Sequence, residues 1–170
     1  KLLHQLSTKL RSKAGWRSTT FFRAKVDEQN DRHSKSNHTE YSLEPNLKTA
    51  PGGLRDIQTI LWVAKFHYQT DHLEQLVDAG FVESHESILL TEAQQFLWKI
   101  RFVLHSLYGR DENRLLFEHQ RALADQLGYE DAAQLAVERF MQDYYRFAKS
   151  VSTINEIVLQ HFEEAVFRPR

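Results

Sequence analysis

Residues 131–169 read DAAQLAVERFMQDYYRFAKSVSTINEIVLQHFEEAVFRP, and this stretch decides the fold. Apolar side chains recur at Ala133, Val137, Phe140, Tyr144, Phe147, Val151, Ile154, Val158, Phe162 and Ala165. That three- and four-residue spacing keeps one face of an α-helix apolar. Asp131 followed by Gln134 resembles a capping box at its start, and no Gly or Pro interrupts the pattern before Pro169. At about 1.5 Å per residue such a helix approaches ~50 Å. A stripe that long is buried most easily against other helices joined by short loops. The expected fold is therefore all-α: an antiparallel helical bundle with long helices, preceded by a short extended Gly-Gly segment.

The rest of the chain agrees. Leu54, Ile57, Leu61, Ala64 and Tyr68 form a second stripe. A short helix over 73–79 is closed by Gly80 in the position that favours a left-handed residue. Leu89, Ala93, Phe96, Leu97, Ile100, Val103, Leu104 and Leu107 define a helix ending near Gly109, and 115–127 another, stopped by Gly128. Leu2, Leu3, Leu6 and Leu10 also fall at helical spacing, broken by Gly15. A helix over 20–34 carries Phe21, Phe22 and Val26 on its apolar side. Tyr41-Ser42-Leu43-Glu44 alternates as a short strand would, and Pro45, Pro51, Gly52 and Gly53 punctuate an irregular stretch. The change at residue 53 suggests two parts, 1–53 and 54–170. Trp62, Phe96 and Trp98 sit at helical spacing and are expected in the core.

Composition removes several classes of function. With 170 residues, 41% of them hydrophobic, the chain can bury a proper core. It has no cysteine, which excludes disulfide scaffolds, thiolate zinc sites and cysteine nucleophiles. The longest apolar run, Ile60 to Ala64, is far shorter than the roughly 20 residues of a membrane helix. Residues 1–35 hold nine Lys or Arg against Asp27, Glu28 and Asp31, a balance of +6, so the remainder carries −7 to reach the net −1. The basic residues are interleaved with acids, which ranks nucleic-acid binding last. His33, His38, His67 and His72 lack the spacing of a zinc helix with a third ligand, and no nucleophile elbow or phosphate-binding glycine loop occurs. The chain opens at Lys1 without methionine and runs straight into an apolar pattern, as the interior of a longer polypeptide would.

The chemistry-bearing stretch is LEPNLKTAPGGLRD, residues 43–56. Paired glycines allow close backbone approach, and a helix start offers N–H donors to an anion. Lys48 and Arg55 flank the turn as cationic donors, and Glu44 and Asp56 are placed to hold Arg55 or approach a metal. The alternative is that Arg55 and Asp56 only lock the junction between the extended piece and the helix.

Tyr41 to Lys48, then Pro51-Gly52-Gly53-Leu54-Arg55-Asp56-Ile57-Gln58, then Trp62-Val63-Ala64 closely resemble the bacterial bifunctional uridylyltransferase/uridylyl-removing enzymes that modify the PII nitrogen-regulatory protein. Glutamine-synthetase adenylyltransferase carries a related signature. Phe22, Lys25, Glu28, Arg32 and His33, the segment Phe96 to Phe102, the segment Leu115 to Ala124 and the segment Val137 to Arg146 also resemble that family. The resemblance implies a cytoplasmic enzyme that transfers UMP from UTP to a PII tyrosine with Mg²⁺ and removes it in response to glutamine. The family's catalytic Asp-x-Asp pair is absent, so no catalytic residue is expected in this chain. The pair is expected upstream of Lys1, and the His-Asp hydrolase and glutamine-sensing domains downstream of Arg170. On this reading residues 1–53 are the tail of the nucleotidyltransferase domain and 54–170 a helical bundle domain. Lys48, Gly52, Gly53, Arg55 and Asp56 form the nucleotide-phosphate positioning group, supported by Glu44 and Asn46. The piece alone is expected to be inactive. The competing reading is a non-catalytic helical module that docks a protein partner.

Overall fold

A computed structural model of the chain describes residues 18–167 apart from 37, 39, 70, 71, 110, 111 and 133. Six helices are formed by those residues: α1 (Ser18–Ser34), α2 (Leu54–Tyr68), α3 (Glu74–Asp78), α4 (Ser84–Tyr108), α5 (Phe117–Gln126) and α6 (Ala136–Phe167). The helix expected around Leu2–Leu10, Gly15, Ala133 and Pro169 lie outside the described residues.

The 32-residue α6 is the axis of the molecule. Phe140, Tyr144, Val151, Ile154, Val158 and Phe162 of its stripe are buried, and Val137, Phe147 and Ala165 are partly buried. It starts at Ala136, three residues later than the apolar pattern suggests. The Asp131 carboxylate accepts the Ala136 N–H at 2.8 Å, so its reach over the helix start is longer than the expected box with Gln134. The capping box is formed at α4 instead, where the Glu83 N–H donates to Glu86 Oε2 at 2.8 Å.

Ring contacts set the directions. Phe21 stacks on Phe66 at 4.2 Å while the C-terminal end of α1 meets the start of α2, so these helices are antiparallel. Phe22 meets Phe167 and Gln29 meets Asn155, which sets α1 antiparallel to α6. Phe81 on Phe162 and Phe96 on Phe147 set α4 antiparallel to α6 as well. Phe22 and Leu47 belong to the same buried cluster as the α6 stripe and Leu115, so the segment before residue 54 shares one core with the helices that follow.

Three local expectations change. No strand forms at 41–44. Among the described residues the extended backbone makes only an isolated antiparallel bridge, Asn46 with Arg114, held by Leu47 N–H to the Asn113 carbonyl and Leu115 N–H to the Pro45 carbonyl, each at 2.8 Å. Leu115 is thereby drawn out of the helix, and α5 begins at Phe117. Along α4 the core line is Leu90, Ala93, Leu97, Ile100 and Leu104. That register turns Trp98 and Phe102 to solvent, 51% and 76% exposed, and leaves Leu107 exposed too. Trp98 is therefore not a core residue, although its spacing suggested one.

Candidate functional site

The segment from Leu43 to Asp56 is built by its own polar groups. Asn46 Oδ1 accepts the N–H groups of Lys48 and Thr49, both at 3.0 Å, which closes an Asx-type turn. The Leu54 N–H donates to the Leu47 carbonyl, the Arg55 N–H to Lys48 and the Asp56 N–H to Gly53. The Gly52 N–H goes to Asp56 Oδ2 at 2.8 Å and the Gly53 N–H to Ala50. The N–H donors expected to be free for an anion are thus used inside the turn. Glu44 Oε1 accepts the Phe117 N–H at 2.9 Å, so this carboxylate caps the start of α5. Glu44 and Asn46 therefore act architecturally.

The glycines answer to packing. Gly52 has φ +76°, and a Cβ there would lie 2.1 Å from the Ala148 carbonyl oxygen of α6. A Cβ on Gly53 would lie 2.9 Å from the carbonyl oxygens of Ala50 and Leu47. The turn rests directly on the α6 backbone: close approach to that helix demands Gly52, and the carbonyls of the turn itself demand Gly53.

Asp56 is the hub. It is 0% exposed. Its Oδ1 accepts from Arg32 Nη1 at 2.7 Å, and His33 Nε2 lies 2.9 Å from Oδ1 and 3.1 Å from Oδ2. Arg32, only 8% exposed, also reaches Glu28 Oε1 at 3.2 Å and the Thr49 carbonyl at 3.4 Å. Asn155 Nδ2 donates to the Asp56 carbonyl at 3.2 Å, and Asn155 Oδ1 accepts from Gln29 Nε2 at 2.6 Å. The cluster ties α1, α2 and α6 together. It also places the Arg32 cation in the last turn of α1 and an anion in the first turn of α2, the arrangement helix dipoles favour. Asp56 does not pair with Arg55, because neighbours on a helix point about 100° apart.

Arg55 instead lies over the Trp62 ring, Cζ 5.3 Å from its centroid, and Lys25 Nζ lies over the same ring at 4.3 Å. Lys25, Lys48 and Arg55 are partly exposed, and none has a carboxylate partner among the described residues. On the other side of α1 an open cleft of about 1020 Å³ runs along residues 42–50, lined by Asp27, Asp31, Lys35, Asn46 and Arg114 among others. Its charges alternate in sign. No cluster of three or more His, Asp or Glu able to hold a metal ion occurs among the described residues. No helix among them is long and apolar enough to cross a membrane.

Sequence reading placed Lys48, Gly52, Gly53, Arg55 and Asp56 together, and they are together, but facing two ways: Asp56 and the glycines inward, the two cations outward. It missed Arg32 and His33 as partners of Asp56, Lys25 and Trp62 as neighbours of Arg55, and Asn155. Asn155 was the legible signal, a polar residue inside the apolar stripe between Ile154 and Val158.

Fold and site together define an all-α helical domain whose Gly-Gly junction is locked by a buried ion cluster and edged with unpaired cations. The family model GlnD PII-uridylyltransferase matches residues 20–159. The chain belongs to that family. It is 57% identical over 152 residues to the bifunctional uridylyltransferase/uridylyl-removing enzyme of Stutzerimonas stutzeri, 55% to that of Azotobacter vinelandii and 53% to that of Pseudomonas aeruginosa. Each alignment covers 89% of this chain and 17% of the relative, so the chain spans about a sixth of their length. No solved structure matches it.

Proposed function

We propose that this chain is the helical segment of an enzyme that transfers UMP from UTP to a tyrosine of the PII protein, with diphosphate leaving, and removes it again in response to glutamine. The observation that carries the reading is the family match over residues 20–159. Residues 1–53 are the tail of the nucleotidyltransferase domain and 54–170 the bundle, meeting in one core. Attack at the α-phosphorus builds charge on the departing diphosphate, and preorganised cations stabilise that charge. Lys48 and Arg55 supply such cations. Gly52, Gly53 and Asp56 position them, with Arg32 and His33 holding Asp56. The metal-binding and reacting groups belong to other parts of the enzyme, and the 170-residue chain alone transfers no uridylyl.

The test is Arg55→Ala in a longer enzyme that contains the catalytic domain, assayed by uridylylation of PII. A loss of kcat of about tenfold or more at unchanged melting temperature is expected. Normal kinetics sinks the phosphate-side role. A second reading, a docking module for a protein partner, is favoured by the exposed Trp98 and Phe102 on α4. Calorimetric titration of the chain with PII separates the two: binding that needs no UTP supports docking.

A further inference from the structure

Cations over an indole ring keep their N–H donors free. A guanidinium stacked on an aromatic face points its five donors around its own edge, and an ammonium over the ring spends only part of its field on the quadrupole. Lys25 and Arg55 share the Trp62 ring at 4.3 and 5.3 Å, so the two like charges lie no further apart than those distances laid end to end. Both charges are partly exposed, so their repulsion is screened by water and each stays available to an anion. Among the described residues no carboxylate pairs with either cation, and Glu28, three residues on from Lys25, meets Arg32 instead. Lys48 joins them through the backbone, since its carbonyl accepts the Arg55 N–H at 2.9 Å. The support beneath is rigid, because Asp56, next to Arg55, is clamped by Arg32 and His33, and Phe21 stacks on Phe66 one helical turn beyond Trp62.

From this we infer that the α1–α2 face is a seat for a polyphosphate anion, with Lys25 and Arg55 as its two donors, Trp62 as the platform that holds them apart, and Lys48 at its edge. Several phosphate groups in a row match several separate cations, whereas a single phosphate reaches one. The inference deepens the function proposed above. It adds Lys25 and Trp62 to the phosphate side and names the part of the nucleotide, or the released diphosphate, that the face takes. The seat uses side chains alone, since the N–H groups of the turn are already taken.

The test is calorimetric titration of the 170-residue chain with inorganic tripolyphosphate, and with monophosphate, at low salt. Saturable one-to-one binding of tripolyphosphate is expected, well tighter than monophosphate and weakened by added salt. Lys25→Ala and Arg55→Ala each weaken it about tenfold, the effect of one charge-assisted hydrogen bond. Lys99→Ala, on exposed surface of α4, leaves it unchanged. Tripolyphosphate shifts the tryptophan emission of the native chain but not of Trp62→Phe. Lys25 is a partly exposed side chain with no hydrogen bond to the buried cluster, so its variant carries the test if Arg55→Ala melts early. No saturable binding, equal affinity for monophosphate, or wild-type affinity in Lys25→Ala overturns the seat and leaves the family's transfer reaction untouched. Lost binding in Lys25→Ala together with normal uridylylation by a longer enzyme bearing the same change keeps the seat and removes only its part in transfer.

Discussion

Replacing Gly52 by alanine tests the close packing of the Gly-Gly turn, and Gly80 supplies the internal reference. Both glycines have positive φ, +76° and +74°. At Gly80 an added Cβ meets nothing within 4 Å, so Gly80→Ala costs only the left-handed backbone penalty, about 1 kcal/mol. At Gly52 the same methyl lies 2.1 Å from the Ala148 oxygen, 2.6 Å from its carbonyl carbon and 2.7 Å from its Cα. Relief needs a shift of more than an ångström. The obstacle is the backbone of a 32-residue core helix rather than the tip of a flexible side chain. Overpacking of that kind adds about 3 kcal/mol, for a total near ~4 kcal/mol. For a domain of this size that lowers the melting temperature by roughly 10 °C, against about 3 °C for Gly80→Ala. Urea titration followed by far-UV circular dichroism gives both free energies, and thermal melts give the two temperature shifts. A Gly52→Ala chain within about 1 kcal/mol of Gly80→Ala would refute the reasoning, because the turn would then not rest on the α6 backbone.

Two other outcomes follow from the buried cluster and from the α5–α6 corner. Asp56→Asn keeps the shape but leaves the buried Arg32 guanidinium with only the half-exposed Glu28 carboxylate, and a loss of about 3 kcal/mol is expected; adding Arg32→Met should recover part of it, and a single-variant loss under about 1 kcal/mol would mean the Arg32–Asp56 pair adds little beyond Glu28. Burial, then the Asp143 carboxylate that accepts its hydrogen bond at 2.8 Å, pushes the Tyr129 phenol up to about 12. The unfolded chain releases that proton near its ordinary value of about 10, so the stabilisation is complete below pH ~10 and is lost as pH rises through ~12. Tyr129→Phe should flatten the fall in urea midpoint across that window, leaving the slope due to Tyr144 and Tyr145, whose phenols burial also pushes up. An unchanged slope contradicts the assignment.

The helices were legible because periodicity is a local property. The spacing from Val137 to Phe162 fixes a buried face whatever packs on it, and α2 begins at Leu54 where the Gly-Gly pair ends. Register against neighbours was less legible. Trp98 and Leu97 are adjacent, and either could have faced the core until Leu90, Ala93, Leu97, Ile100 and Leu104 together met α6. Residues 41–44 do alternate, but the alternation turns Tyr41 and Leu43 outward, because no second strand exists among the described residues to make a sheet of them.

The sequence by itself determined the all-α class, the long axial helix, the junction at Gly52-Gly53 and the family to which these motifs belong. Each rests on residues near one another along the chain. Only the tertiary structure decided what the junction is for. Arg32 and His33 stand 24 and 23 residues from Asp56, and Gln29 stands 126 from Asn155. No local pattern specifies which buried carboxylate a distant cation will meet. Burial does, because a charge removed from water is tolerated only beside its partner. The same packing spent the turn's N–H groups and the Asp56 carboxylate on the fold, and left Lys25, Lys48 and Arg55 without a carboxylate partner among the described residues.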